Sequence, residues 1–147
     1  MGAEQWSEFD TLRAELECAQ VLTRFVGHLD RREYDLLLGL VTPDCIWRGT
    51  TDARGREQIR ARLESRPTDM ITLHLITNIV VTIVDESSAE AKSYLCVHRF
   101  DGEGNASAPR ATAVPHTLGV YDDTLVRTDQ GWRIAERRLT IVAQAKS

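Results

Sequence analysis

Hydrophobic residues recur at helical spacing near the start of the chain and alternate with polar residues in its second half. The first pattern predicts a helix over residues 8–29, because apolar positions follow one another at intervals of three and four: Leu12, Leu16, Ala19, Leu22, Val26 and Leu29. Ala14, Cys18, Val21 and Phe25 broaden this apolar arc, which predicts a helix covered on most sides. Ser7 is placed to act as its N-cap.

Two shorter helices are predicted next. Asp30 and Glu33 have the spacing of a capping box, with Asp30 as the cap, and the helix they would open carries its apolar face on Tyr34, Leu37, Leu38 and Val41. Pro43 disfavours helix at the preceding residue, so this helix is expected to end at 42–44. The sequence CIWRG (45–49) then predicts a short strand, and residues 55–65 predict a third helix.

Alternating patterns predict four long strands, at 70–84, 89–101, 112–128 and 131–143. Short turn-like sequences join the first pair and the last pair, which favours antiparallel pairing. The loop 101–111 is rich in Gly, Ala and Ser and is expected to be mobile. Three helices followed by long strands predict a single α+β domain over 1–147, in which a curved antiparallel or mixed sheet forms a half-barrel against the helices.

Polar side chains interrupt the otherwise apolar strand ITLHLITNIVVTIV. His74 and Asn78 share one face of it by period two, and a buried polar group without a partner costs roughly 1–3 kcal/mol. Asp30 continues the arc of Leu12 and Leu16 at about 100° per residue, so its carboxylate is expected to point inward. An Asp beside a His forms an acid/base pair, because the carboxylate fixes the imidazole tautomer. Both residues are therefore expected to face a cavity that receives a ligand.

Composition narrows the classes of partner. A net charge of −4, a pI near 5.6 and the lack of any basic run argue against nucleic acid. No apolar run reaches the roughly 18 residues of a membrane span, and the N-terminus lacks a signal-peptide pattern. Cys18, Cys45 and Cys96 form no paired framework, which favours reduced core thiols in a cytoplasmic protein.

No cofactor motif is found, and no metal site is expected. His74, His98 and His116 could supply three ligands, but nothing in their spacing demands it. His28 and His116 are expected to be solvated.

Three segments together resemble one family: LDRREYDLLLGLVTPDCIW, ITLHLITNIVVTIV and YDDTLVRTDQGWRIAERRLTIV. They resemble the SnoaL-like family of the nuclear-transport-factor-2-like superfamily, near scytalone dehydratase, bile-acid 7α-dehydratase and the β subunits of ring-hydroxylating dioxygenases. The resemblance implies a conical pocket between a curved sheet and three helices, with Asp30 and His74 as an acid/base pair. It further implies a second catalytic histidine, matched by His98, and a contributing arginine, matched by Arg138. A tyrosine common in such pockets is replaced by Phe25, so Tyr34, Tyr94 or Tyr121 would have to substitute for it.

These observations favour a cofactor-independent dehydratase, isomerase or cyclase for a hydrophobic cyclic or polyketide-like small molecule. Its catalytic residues would be Asp30, His74 and His98, and its substrate contacts are expected to be Tyr34, Trp47, Asn78, Tyr94 and Arg138. A non-catalytic ligand-binding or scaffold module of the same fold is the alternative, and epoxide hydrolysis involving Asp123 and Arg138 is a third. An apolar outer sheet face, represented by Leu118, Val120 and Val126, predicts a homodimer, or a homotrimer as the fold also allows.

Overall fold

The computed structural model describes residues 6–101 and 115–146, which form an α+β fold. Its helices and strands follow one another as α1 (Glu8–Asp30), α2 (Tyr34–Leu38), β1 (Val41–Arg48), β2 (Ala53–Arg54), α3 (Gly55–Glu64), β3 (Ile71–Asp85), β4 (Ser88–Phe100), β5 (Thr117–Thr128) and β6 (Gly131–Gln144). Most of the loop predicted to be mobile, and the first residues of the third predicted long strand, lie outside the described residues.

The strands form one open, mixed sheet in the order β2-β1-β6-β5-β4-β3. The four long strands pair antiparallel, as their short connections predict, whereas β1 runs parallel to β6. The predicted fold class is therefore confirmed. Helix α1 packs across one side of the sheet, which we call the inner face, and the opposite side is the outer face.

Helix α1 begins as predicted, but it buries a different arc of its surface. Ser7 is the N-cap, and it exchanges hydrogen bonds with Asp10 in a capping box. Leu12 and Leu16 are 58% and 63% exposed, so the expectation that they mark the buried side is wrong. The helix buries a neighbouring row instead, formed by Ala14, Cys18, Val21, Leu22, Phe25, Val26 and Leu29. Asp30 points inward because it follows Val26 by four residues, one turn further along that row.

The predicted capping box at Asp30 and Glu33 is wrong. Asp30 is the last residue of α1, and α2 begins at Tyr34 without a side-chain cap. The Glu33 carboxylate instead accepts hydrogen bonds from His28 and Arg31, at 2.6 and 3.0 Å. Helix α2 also ends earlier than expected, since the chain has already entered β1 at Val41.

Two β-bulges decide which side chains in the middle of β3 and β6 reach the inner face. On β3, Asn78 and Ile79 together oppose the single residue Ser93, and Asn78 takes a positive φ of 52°. On β6, Ala135 is the extra residue between the pairs Thr124–Glu136 and Leu125–Ile134. Each bulge inserts one residue, so the side chains that follow it change face. On β6 a further register shift at Val142 reverses this change again, and Gln144 lines the inner face.

A buried ion pair is the main polar feature of the core. Arg137 donates to both carboxylate oxygens of Asp123, at 2.7 and 2.8 Å, and both residues are almost fully buried. The guanidinium lies between the rings of Phe25 and Tyr121, 4.4 and 4.0 Å from their centroids. Burial opposes its charge, but Asp123 outweighs that effect and raises the pKa of Arg137.

Removing one partner of this pair should be strongly destabilising. Asp123→Asn leaves the Arg137 charge buried without a counter-ion, and we expect a loss of about 3–5 kcal/mol in the free energy of unfolding. Asp122→Asn is the matched control, because Asp122 pairs with Lys92 on the exposed outer face and should contribute at most about 1 kcal/mol. Urea unfolding followed by circular dichroism would measure both, and equal midpoints for the two variants would contradict the assignment.

Candidate active site

The carboxylate of Asp30 joins the end of α1 to the middle of β3. One oxygen accepts a hydrogen bond from the backbone N–H of His74 at 2.8 Å. The other oxygen contacts Nδ1 of His74 at 2.5 Å and accepts from the Thr72 hydroxyl at 2.9 Å. The two side chains are only 13% and 11% exposed, so the expected meeting of Asp30 and His74 on the inner face is observed.

The environment of Asp30 keeps it ionised. Burial alone would raise its pKa, but the hydrogen bonds from His74 and Thr72 and the charge of His74 together lower the pKa of Asp30 below 3.8. An ionised carboxylate only accepts hydrogen bonds, so Nδ1 of His74 carries the proton that it donates. In the uncharged form of the ring, Nε2 is therefore the basic nitrogen, the atom that can take a proton.

Arg66 extends this network toward solvent. It donates to the Thr72 hydroxyl at 2.6 Å and to the Leu29 carbonyl at 2.7 Å. Thr72 thus receives a hydrogen bond from Arg66 and passes one to Asp30. The chain of contacts runs from guanidinium to hydroxyl to carboxylate to imidazole.

His74 lines a cavity of about 300 Å³ between the inner face of the sheet and the ends of α1 and α3. Apolar side chains make up much of its wall, among them Leu29, Trp47, Leu63, Met70, Leu95, Val97, Leu139 and Ile141. The volume is at the small end of the usual range for ligand sites, roughly 300–1,000 Å³. A second cleft, which we call the outer cleft, adjoins the cavity. The two share Trp47 and Arg66, and Thr51 and Pro67 line the outer cleft alone.

Two of the predicted substrate contacts lie near this cavity. Trp47 lines the cavity directly. Its ring packs edge-on against that of Phe25, with 5.4 Å between the ring centroids. Tyr34 lies one layer further back, where its hydroxyl is 3.5 Å from Arg66 and 3.4 Å from Arg32.

The other predicted contacts lie on the outer face, so their placement in one pocket with Asp30 and His74 was wrong. Tyr94 and His98 do share a face of β4, but the helices cover the opposite one, and Tyr94 is 57% exposed. His98 stacks on Phe100 and lies 3.7 Å from the Cys96 sulfur.

The bulges account for the remaining two errors. Asn78 is the exposed bulge residue of β3, so it leaves the face of His74. Beyond the bulge of β6, Arg137 turns inward and Arg138 turns outward, where Arg138 contacts Glu136 at 3.4 Å.

Several polar residues of the cavity wall were not predicted from the sequence. His116 was expected to be solvated, but it is half-buried, lines the cavity and contacts the Thr117 hydroxyl through Nδ1 at 2.8 Å. Arg62, Arg66 and Arg99 also line the cavity. The sequence could have grouped two of these arginines. Arg62 and Arg66 are four residues apart, so they lie on one side of α3 and its continuation.

Two further classes of feature are absent from the described parts of the chain. Within 6–101 and 115–146, no three His, Cys, Asp or Glu side chains converge as metal ligands would. None of the helices in those ranges has the length and hydropathy needed to cross a membrane.

Comparison with known proteins agrees with this architecture. The family model of the SnoaL-like domain matches residues 10–138. The chain therefore belongs to the SnoaL-like family. No curated protein matches it.

Solved structures of the same fold cover nearly the whole chain. One is named "Putative Scytalone Dehydratase", from Novosphingobium aromaticivorans, with 24% identity, a TM-score of 0.79 and coverage of 95% of this chain and 91% of that one. A hexachlorocyclohexane dehydrochlorinase, LinA type 2, has 17% identity, a TM-score of 0.79 and coverage of 95% and 92%. An NTF2-like protein with a cystatin-like fold, also from N. aromaticivorans, has 20% identity, a TM-score of 0.77 and coverage of 98% and 94%.

The ionised state of Asp30 predicts how stability responds to acid. The folded-state pKa of Asp30 lies below its unfolded value near 3.8. The stability that this group contributes is therefore complete above that value and is lost as the pH falls toward the folded pKa. In Asp30→Asn this component disappears, so the free energy of unfolding should decline less steeply below pH 3.8.

Asp69→Asn is the control for this measurement, because Asp69 is exposed in the turn before β3. The free energy of unfolding of Asp69→Asn should decline with falling pH as steeply as that of the wild type. An identical slope for wild type and Asp30→Asn in urea titrations across this pH range would contradict the role given to Asp30.

Proposed function

We propose that the protein is an acid/base enzyme, a dehydratase, isomerase or cyclase, that acts without a cofactor on a hydrophobic cyclic small molecule. The observation that carries this proposal is the His74–Asp30 pair at the wall of a largely apolar cavity. Family membership supports small-molecule processing in general, and the dehydratase and dehydrochlorinase neighbours are named for eliminations.

In the proposed reaction, Nε2 of His74 removes a proton from a carbon next to a substrate carbonyl. The ionised Asp30 stabilises the imidazolium that forms and holds the ring in place through Nδ1. In a dehydration, the C–H electron pair becomes the new double bond, and the leaving hydroxide takes the proton back from His74 as water. In an isomerisation, the same proton returns to a different carbon.

The developing enolate oxygen needs a hydrogen-bond donor. His98 and Asn78 lie on the outer face, so His116, which lines the cavity, takes this proposed role in their place. Of the three candidate tyrosines, Tyr121 also lines the cavity and is the alternative donor. Donors placed beforehand around a developing oxyanion stabilise the transition state without reorganisation.

Proton abstraction can be tested without knowing the natural substrate. We expect the wild-type protein to catalyse exchange of the α-hydrogens of 2-tetralone with D₂O, measured by proton NMR. His74→Ala should lower the catalysed rate by about 10²- to 10⁴-fold. Asp30→Asn should also lower it, since an amide can donate to Nδ1 and favour the opposite tautomer.

His28→Ala provides a matched control. His28 also contacts a carboxylate through Nδ1, that of Glu33 at 2.6 Å, but it does not line the cavity. The exchange rate of this variant should equal that of the wild type. Binding of 2-tetralone without any catalysed exchange in the wild type would instead support the non-catalytic binding module.

We also infer that the protein self-associates through its outer face as a homodimer. Large apolar side chains remain 42–70% exposed on this face, namely Ile71, Leu73, Leu75, Val80, Val84, Tyr94, Leu118 and Val142. An extended apolar surface of this kind marks an interaction site. A homotrimer and a cytoplasmic location stay predictions of the sequence.

Charge placed on this face should separate the subunits. We expect the double variant Tyr94→Lys/Leu118→Lys to elute as a monomer in size-exclusion chromatography with light scattering, because a buried lysine without a partner is costly. Leu12→Lys, at an equally exposed leucine of α1, should leave the dimer intact. A monomeric wild type would refute the interface.

A further inference from the structure

The wall of the cavity is positively charged in a protein whose net charge is negative. Acidic residues outnumber Lys and Arg by 22 to 18 in the chain. The described residues that line the cavity nevertheless include three arginines, Arg62, Arg66 and Arg99, and no aspartate or glutamate. The outer cleft has the same three arginines and again no acidic residue among its described lining.

Two of these guanidinium groups are hydrogen-bonded without a direct ion pair, and Arg66 reaches the Asp30 carboxylate only through the Thr72 hydroxyl. Arg62 donates to the Trp47 carbonyl at 3.2 Å and to Thr51, and Arg66 donates to the Leu29 carbonyl and the Thr72 hydroxyl. Within the described residues, neither forms an ion pair with a carboxylate, whereas Arg99 pairs with Asp101 at 3.0 Å. Carbonyl and hydroxyl oxygens satisfy N–H donors without cancelling the charge, so an anion would gain attraction here.

The guanidinium of Arg62 is also partly withdrawn from water. It lies over the Trp47 ring, 5.3 Å from the centroid. Burial lowers the pKa of Arg62, and the charge of Asp52 partly opposes this shift. Charge-assisted hydrogen bonds are stronger where water is partly excluded, and a planar guanidinium can hold a carboxylate through two parallel bonds.

The position of the arginines places this anion relative to the reaction. Arg62, Arg66 and Arg99 line both the cavity and the outer cleft, so they lie where the two adjoin. His74 lines only the cavity, and Thr51 and Pro67 line only the cleft. A ligand whose ring contacts His74 could therefore present a substituent to the guanidinium groups of Arg62 and Arg66.

We propose that the substrate is a cyclic carboxylate, whose ring enters the cavity beside His74 and whose carboxylate is bound by Arg62 and Arg66 where the cavity and the outer cleft adjoin. This inference rests on the proposed function for the identity of the cavity as the substrate site. It adds that the substrate is anionic, with its charged group held away from the carbon that loses the proton.

A pair of matched probes tests the inference by binding alone. Titration calorimetry would compare 2-naphthoate with its neutral counterpart 2-naphthamide. We expect the wild type to bind the acid at least about tenfold more tightly than the amide, as hydrogen bonds to a charged group predict. Added salt should weaken binding of the acid and leave binding of the amide unchanged. Equal affinities for the two probes, or no saturable binding of the acid, would overturn the proposal.

Substitution of the arginines identifies the source of the preference. Arg62→Gln and Arg66→Gln should each reduce the ratio of the two affinities by about tenfold, while Arg62→Lys and Arg66→Lys should retain part of it. Arg24→Gln is the matched control, since it removes the same charge from an exposed position on α1. A preference that persists unchanged in folded Arg62→Gln and Arg66→Gln would overturn the assignment. Should these variants not fold, the lysine variants decide, because they must still prefer the acid.

The result is separable from the test of catalysis. His74→Ala should keep the preference for the acid while losing hydrogen exchange. If exchange in the wild type does not depend on His74 but the preference for 2-naphthoate holds, the proposed chemistry fails and the anion site stands. If exchange depends on His74 and the preference is missing, only the anion site fails.

Discussion

The hydrogen bonds of Asp30 are the constraint on which the arrangement of the cavity depends. This carboxylate ends the longest helix and accepts three hydrogen bonds from Thr72 and His74 on β3. One of them comes from the backbone of β3, so Asp30 fixes the strand as well as the imidazole. A carboxylate this far from water is retained only because its hydrogen bonds and the nearby charge outweigh the loss of hydration. The same contacts that hold α1 against β3 therefore set the tautomer of His74.

Sequence patterns predicted the large features because each rests on many residues. The spacing of apolar side chains located α1, α3 and the long strands, and the family resemblance supplied the pairing of Asp30 with His74. Single positions were less secure. The period of two correctly placed Tyr94 and His98 on the same side of β4. Both sides of that strand carry apolar residues, so alternation could not tell which side the helices cover.

The two bulges mark the limit of reasoning from alternation. A strict period of two places Val80 on the same face as His74, and Arg138 on the same face as Trp132. One extra residue between the members of each pair, in β3 and in β6, puts them on opposite faces instead. Arg137 thereby becomes the buried partner of Asp123, in place of its neighbour. The capping box at Asp30 failed for a related reason: local spacing fits a cap, but the tertiary contact with β3 satisfies the carboxylate more fully. Cavity residues such as His116 and Arg99 come together only through the fold.

The bulge at Asn78 has a second consequence, for solubility. Strand β3 is fifteen residues long and forms one edge of the sheet, whereas β2 at the opposite edge has only two residues. A long, regular edge offers a row of unpaired amides and carbonyls to which a strand of another molecule can add. Asn78, with its positive φ in the middle of β3, breaks that row into two shorter pieces whose side chains alternate in opposite phase. A strand from another molecule could pair with one piece but could not continue along the other. The bulge at Asn78, which decides the face to which the later side chains of β3 point, therefore also protects the sheet against fibril formation.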